Sequence, residues 1–424
     1  MAPFEVGIIG GGIGGLSTAI ALRRAGVNVE IFEKSTYSNE SGNAIYITPN
    51  AGRILDKWGL NTPPKAPGSS TLSAEVYSTA RPVEVTRVVV LPAKTLDPPT
   101  VVDLTNAQAD YDTTVKLYDR EDLHSALRVL ATAPTPSFSR MTHIHNAGDV
   151  VLRLGALVVD VDSVAGTLKL KDGDTIKKDL IIVADGIQSR FMEYINHHPN
   201  LLRDMGLTGY HFSVPMSALL EDPDLAPLTG ALLDQNATPS SSGLPQAPYV
   251  ALVDNDAELL VVVSAIKGGE AVRIFTHRGP GNDDDYKDTA VIYDNGHEPK
   301  GKISERGEQK EQEDTDGDLH AWNNRRASKN DVLRNVEQFH PVLSKLVQKA
   351  TDIRSFTMRI RDPVKHLHNG LATMLGDSAG ATWALQGNTS LSRKFSSLHH
   401  ILSLQACPSS THHRPPAMLA SQTD

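Results

Sequence analysis

The chain is poor in several features that would each mark a class of protein. Cys407 is the only cysteine among 424 residues, so no disulfide can form within the chain, and a cysteine-built zinc site has no material. Lysine and arginine together number 41 against 50 acidic residues, a formal charge of −9. No basic excess is present to attract nucleic acid or anionic lipid. No apolar run reaches the roughly 18 residues that a membrane-spanning helix needs. The N-terminus lacks the basic region, apolar run and cleavage site of a secretory leader. What remains, 40% hydrophobic and 21% charged residues, is ordinary for a folded enzyme of the cytoplasm.

Glycine is concentrated where it is least expected by chance. The stretch "VGIIGGGIGGLSTAIALRRAGVNVEIFEKS" spans residues 6–35. Its apolar start predicts a buried parallel strand. Gly10, Gly12 and Gly15 then form the pattern G-x-G-x-x-G. Leu16, Ala19, Ile20 and Leu22 follow at helical spacing, and Gly26 is placed to end the helix. A second strand, "VNVEIFE", ends at Glu33. The three glycines serve different physical ends. Gly10 permits the tight turn, Gly12 lets the backbone approach a pyrophosphate closely, and Gly15 lets the helix pack on the strand. The helix N-terminus offers free N–H groups and partial positive charge to phosphates. Glu33 is placed to accept hydrogen bonds from the adenosine ribose hydroxyls. The pattern predicts a bound dinucleotide without deciding between NAD and FAD.

Later segments bear on that choice: "GNAIYITPNAGRILDKWGL" (42–60), "LYDREDLHSAL" (117–127), "DLIIVADGIQSRF" (179–191) and "NGLATMLGDSAGA" (369–381). Singly they are ambiguous. Arg120 could pair with Asp119 or Glu121, Asp185-Gly186 is a common turn dipeptide, and Asp377 could cap a helix. In this order and spacing, over about residues 4–380, the chain resembles the flavin-dependent aromatic hydroxylases, the group A FAD monooxygenases. It is most similar to their salicylate-hydroxylase-like fungal branch, whose members serve degradation or secondary metabolism. The resemblance implies an α/β fold in which a discontinuous Rossmann-like FAD-binding domain carries an inserted mixed-sheet substrate domain. The cofactors it implies are FAD and NAD(P)H. The partners are a small phenolic substrate, salicylate-like or polyketide-derived, and molecular oxygen. It also implies roles along FAD: Glu33 at the ribose, Ala44 along the chain, Arg120 near the pyrophosphate, Asp185 and Gly186 toward FAD and the nicotinamide cofactor, and Asp377 at the ribityl chain.

The expected cofactor domain comprises residues 1–70, 113–200 and 355–390, and the substrate domain 71–112 and 201–354. "TLSAEVYS" and "RPVEVTRVVVL" alternate like strands, and "PYVALVD" and "ELLVVVSAI" like an antiparallel pair. Ser328 and Asp331 form a capping box, and Pro341 breaks or restarts the helix that follows. Residues 281–318, rich in charge and glycine, read as a mobile insertion, and 235–247 as a loop.

In "TGYHFSVP", His211 stands where many relatives carry arginine, and it is the candidate to accept the phenol proton. A satisfied histidine in a sheet is the plainer reading. Tyr210 should face the other way. Trp322 and Trp383 read as packing residues. The chain departs from the family after Asp377. Gly380 stands where a histidine is usual, and Ala384 where a proline is. The tail from 391, rich in serine, histidine and proline, reads as disordered. Its His399, His400, His412 and His413 lack carboxylate or cysteine partners at ligand spacing, so no metal site is expected. Two alternatives follow: a reductase or epoxidase of the same fold, or an FAD-binding paralogue inactivated by its altered C-terminus.

Overall fold

A computed structural model describes residues 4–37, 42–63, 71–198, 202–233, 243–278, 325–361 and 364–380. The insertion at 281–318, most of the loop at 235–247, Trp322, Trp383 and the tail from 391 lie outside these residues.

The chain begins as strand β1 (Glu5–Ile9), helix α1 (Ile13–Arg24) and strand β2 (Asn28–Glu33). Then come β3 (Ala44–Ile47), α2 (Pro49–Lys57), α3 (Leu72–Ala80), β4 (Val83–Pro92), β5 (Thr100–Asp103) and α4 (Ala107–Tyr111). Strand β6 (Val115–Asp119) leads directly into α5 (Arg120–Thr132), followed by α6 (Thr135–Thr142). Next are β7 (Val150–Leu154), a small antiparallel sheet of β8 (Val158–Asp162), β9 (Thr167–Leu170) and β10 (Thr175–Lys177), then β11 (Leu180–Val183) and α7 (Met192–Asn196). The long strand β12 (Leu202–Pro215) opens a second half: α8 (Met216–Leu220), α9 (Ala226–Leu232), β13 (Gln246–Asp254), β14 (Leu259–Ile266) and β15 (Ala271–Arg278). After β16 (Arg325–Arg326) come α10 (Lys329–Val336), α11 (Pro341–Gln348), β17 (Arg354–Arg361), β18 (His368–Asn369) and β19 (Ala372–Met374).

Two large sheets organise these elements. The first has the order β18-β19-β11-β1-β2-β7 and is parallel except for the β18–β19 pair. Its strands come from three separated stretches of chain. Val6 and Ile8 on β1 and Ile31 on β2 are fully buried, beside Leu16, Ala19 and Ile20 of α1. The apolar stripe of α5, Leu123, Leu127 and Leu130, packs in the same core. Buried Arg23 staples this core: it donates to the carbonyls of Gly148 (3.0 Å) and Ala131 (2.9 Å), and its guanidinium lies 4.0 Å from the Phe138 ring centroid.

The second sheet runs β16-β17-β12-β15-β14-β13-β4-β6-β3, with β5 beside β4. Only β13 and β4 pair in parallel, so it is mixed. One face is a hydrophobic core against α8 to α11, built on Phe212, Val214, Val261, Val263 and Ile274. The pleat alternates as expected: Tyr210 packs toward that core, while His211 touches Phe356 on the opposite face. The Ser328–Asp331 capping box forms, and Pro341 restarts the helix as the first residue of α11.

"TLSAEVYS" is the exception. It is the helix α3, not a strand. Thr71 caps it by accepting from the Ala74 N–H, and Ala74, Val76 and Ala80 bury one side while α3 packs on α5. Its alternation is real but short, and the cap together with a helical partner decides the outcome.

Candidate active site

The parallel strands β2, β1, β11 and β19 all end at the same edge of the first sheet. Open α/β sheets bind ligands at that carboxyl edge. Here the four strand ends deliver Glu33, the glycine loop, Asp185 and Asp377 in spatial order. From β2 to β19 is three inter-strand steps, roughly 14 Å. One extended molecule can bridge that edge.

The glycine loop is set by close contacts. Gly10 has φ +101°, and a Cβ there would lie 2.4 Å from the Ala184 carbonyl oxygen. A Cβ on Gly15 would lie 2.0 Å from the Gly10 carbonyl oxygen. Both positions admit only glycine. Gly12 differs: a Cβ there would meet nothing within 4 Å. It is the N-cap of α1, with no side-chain cap and no acidic residue in the first turn. The helix therefore turns its N–H groups toward open space, a cradle suited to phosphate.

Three side chains hold Gly11 in place. Its N–H donates to Glu33 Oε2 (2.7 Å), and its carbonyl accepts from the Tyr37 hydroxyl (2.9 Å) and from His124 Nε2 (2.8 Å). The second Glu33 oxygen accepts from the Ser35 N–H at 2.8 Å. Each carboxylate oxygen keeps a further lone pair for a ribose hydroxyl. Tyr37 and His124 did not emerge from the sequence. The available signal for His124 was a polar residue beside Leu123 on the buried side of α5.

Arg120 begins α5, and its N–H donates to the Asn43 carbonyl at 3.2 Å. A Cβ on Gly42 would lie 2.6 Å from Arg120 Cδ, so Gly42 leaves room for the arginine stem. Ala44 stands opposite Asp119 in the β3–β6 pair, beside this corner. Asp119 takes Arg273 as its ion-pair partner, at 2.6 Å. Arg120 instead acts electrostatically on Asp377.

Asp185 and Gly186 follow β11, with Gly186 at φ +84°. Asp185 Oδ2 accepts from the Arg190 N–H at 3.1 Å, whereas its buried Oδ1 has no partner among the described residues. Burial raises its pKa, and hydrogen bonds from Ser189 and Arg190 work against that rise. Asp377 is exposed to solvent beyond the end of β19. Desolvation lifts its pKa against the pull of Arg120 and Arg361. A buried carboxylate oxygen without a donor, an open glycine cradle and an exposed acid at the next strand together fit a dinucleotide with several hydroxyls. Arg361, at the end of β17, joins this group: it donates to the carbonyls of Ile187 (2.5 Å) and Asp377 (3.3 Å).

His211 lies on the second sheet, opposite Phe275 in β15 and Arg354 in β17. Burial first, then the charges of Arg273 and Arg354, lower its pKa to about 4. A ring with that value is neutral at pH 7 and a weak base. Its Nδ1 is without a partner among the described residues. Among the described residues no group of histidine, cysteine or acidic side chains is arranged to hold a metal, and no helix is long and apolar enough to cross a membrane.

Known proteins resemble this chain in sequence and in fold. Residues 3–236 match the family described as FAD binding domain. The FAD-dependent monooxygenase cfoG of Aspergillus candidus is 27% identical over 376 residues, covering 88% of this chain and 71% of that protein. Hispidin-3-hydroxylase of Neonothopanus nambi is 26% identical over 392 residues, covering 90% and 76%. Among solved structures, a salicylate hydroxylase substrate complex superposes with TM-score 0.56 at 18% identity, covering 89% of this chain and 74% of the other. HpxO of Klebsiella pneumoniae, complexed with FAD and uric acid, gives 0.57 at 18% identity, with coverage of 90% and 74%.

Proposed function

The chain belongs to the FAD binding domain family and is an FAD-dependent monooxygenase, and on that premise we propose that it hydroxylates a small phenolic compound with NAD(P)H and molecular oxygen. The observation that carries the cofactor half of this reading is the alignment of Glu33, the Gly10–Gly15 loop, Asp185 and Asp377 along one edge of the parallel sheet. Relatives named for hydroxylation of hispidin and of an aminohydroxybenzoate support an aromatic substrate.

In this reading FAD supplies the redox and oxygen-transfer chemistry when bound. Glu33 receives the adenosine ribose. The open N-terminus of α1 at Gly12 and the guanidinium of Arg120 receive the pyrophosphate, with Ala44 beside them. Asp185, with Gly186 at its turn, and Asp377 receive hydroxyls of the remaining chain. The parallel sheet and its helices form the cofactor part, and the second sheet offers its His211 face to the substrate.

His211 meets the phenol as a neutral hydrogen-bonding ring that orients the reacting hydroxyl. That role suits its low pKa better than taking up a proton does. The rings of Phe275 and Phe356, stacked at 5.9 Å, supply an apolar wall that keeps water away. Arg273 is paired with Asp119 and Arg354 with Asp352, yet the two arginines act on His211 more strongly than their carboxylates do.

The test is to purify the full chain, measure FAD binding, and follow NADH and NADPH consumption with a panel of uncharged phenols and hydroxybenzoates. Bound flavin, phenol-stimulated consumption and a hydroxylated product are expected. Absence of FAD binding overturns the reading. Flavin whose NAD(P)H consumption no aromatic compound stimulates favours a reductase or an inactive paralogue.

A further inference from the structure

Arg361 is 6% exposed and ends the strand β17, which pairs with β12 in the second sheet. Its side chain leaves that sheet. One terminal nitrogen donates to the Ile187 carbonyl, two residues past Asp185, and the other to the Asp377 carbonyl. Those two turns follow β11 and β19, neighbouring strands of the first sheet. Strand pairing ends at Val183 and Met374, so it does not itself fix the two turns beyond. Local contacts brace each turn separately: the Ser189 N–H to the Gly186 carbonyl and the Arg190 N–H to Asp185 Oδ2 on one side, the Leu375 N–H and Ser378 Oγ to the Val183 carbonyl on the other. Among the described residues, Arg361 is a side chain that touches both turns. It also lies close enough to the carboxylates of Asp185 and Asp377 for its charge to be felt, and its Nε has no partner among the described residues.

A planar guanidinium fits this position because it donates in two fixed directions at once, whereas an ammonium is a single point with rotating donors. We propose that Arg361 is a positioning residue: it clamps the Asp185 and Asp377 turns at a fixed separation and couples them to the second sheet, so that both carboxylates face one FAD. This rests on the reading of those turns as the FAD site. It adds that a residue of the second sheet, outside every glycine or acidic motif, sets the affinity of that site.

The experiment compares the full-length wild type with Arg361→Lys and Arg361→Met. FAD affinity is read by quenching of flavin fluorescence, the flavin environment by visible circular dichroism, and apoprotein folding by thermal unfolding without FAD. Arg361→Lys, which keeps charge and bulk but not the two-way grip, is expected to fold, to bind FAD at least tenfold more weakly and to show an altered flavin dichroism. Arg361→Met is expected to weaken FAD further. Unchanged FAD affinity and dichroism in Arg361→Lys overturn the proposal. So does failure of both variants to fold, which would make Arg361 a brace of the fold alone. If the wild type binds no FAD, it is the proposed function that fails, and that result is distinct from either of these.

Discussion

Arg273 on β15 and Asp119 at the end of β6 form an ion pair at 2.6 Å, although four strand-to-strand steps separate their strands in the sheet. Four steps of a flat sheet amount to roughly 19 Å, well beyond an arginine's reach, so the sheet must curl until its two limbs meet. The pair lies in the bend. Asp119 is fully buried and also caps α5, accepting from the Glu121 N–H at 3.1 Å. It thus anchors the helix on which Arg120 sits. Removing one partner leaves a buried charge alone, so Asp119→Asn and Arg273→Met should each cost about 3–5 kcal/mol. Urea unfolding of the two single variants and the double variant measures this. A double variant much less damaged than the sum of the singles is expected, because the two groups depend on each other.

Gly12 and Gly15 should respond oppositely to alanine. A Cβ at Gly15 collides with backbone at 2.0 Å, and one at Gly12 meets nothing within 4 Å. Gly15→Ala should therefore unfold or fail to express. Gly12→Ala should keep the melting temperature within a few degrees while FAD binds at least tenfold more weakly, because the methyl group occupies the phosphate cradle. Calorimetry of the apoprotein and an FAD titration separate the two effects. Equal FAD affinity in Gly12→Ala and wild type would refute the assignment of that cradle.

Acid should destabilise the fold through buried histidines. Burial lowers His211 and His277 from 6.5 to about 4, with nearby arginines assisting at His211. Between those values the unfolded chain binds more protons than the folded one, so stability rises with pH across this window. The contribution is complete above about pH 6.5 and is lost as pH falls toward 4. At pH 5.5 each histidine should have given up roughly 1.4 kcal/mol. Urea midpoints at pH 7.5 and 5.5 check this, and His211→Phe should flatten the difference by about half.

Arg23 should matter to stability and not to chemistry. It is 1% exposed and donates to two carbonyls on separate segments. Burial lowers its pKa, with Asp149 offsetting that in part. Arg23→Met orphans both carbonyls and should cost roughly 2–3 kcal/mol. Thermal unfolding should show the loss, while FAD affinity per folded molecule stays within twofold of wild type.

The sequence by itself determined the first strand, turn and helix. Gly15 is required by its contact with the Gly10 carbonyl in the same loop, and the apolar period of α1 is local, whereas the Gly10 contact with the Ala184 carbonyl is tertiary. It also determined the capping box at Ser328 and the stripe of α5, where side chains three and four apart must share a face. It misread "TLSAEVYS", because a short alternating run fits both periods until a cap and a helical neighbour choose between them. Tertiary structure alone decided the pairings of residues far apart in the chain: Arg273 with Asp119, His124 with Gly11, and Arg361 with two turns at once. No local pattern announces such pairs. Their donors and acceptors meet only after two sheets have curled and docked, when burial makes each unpaired polar atom costly.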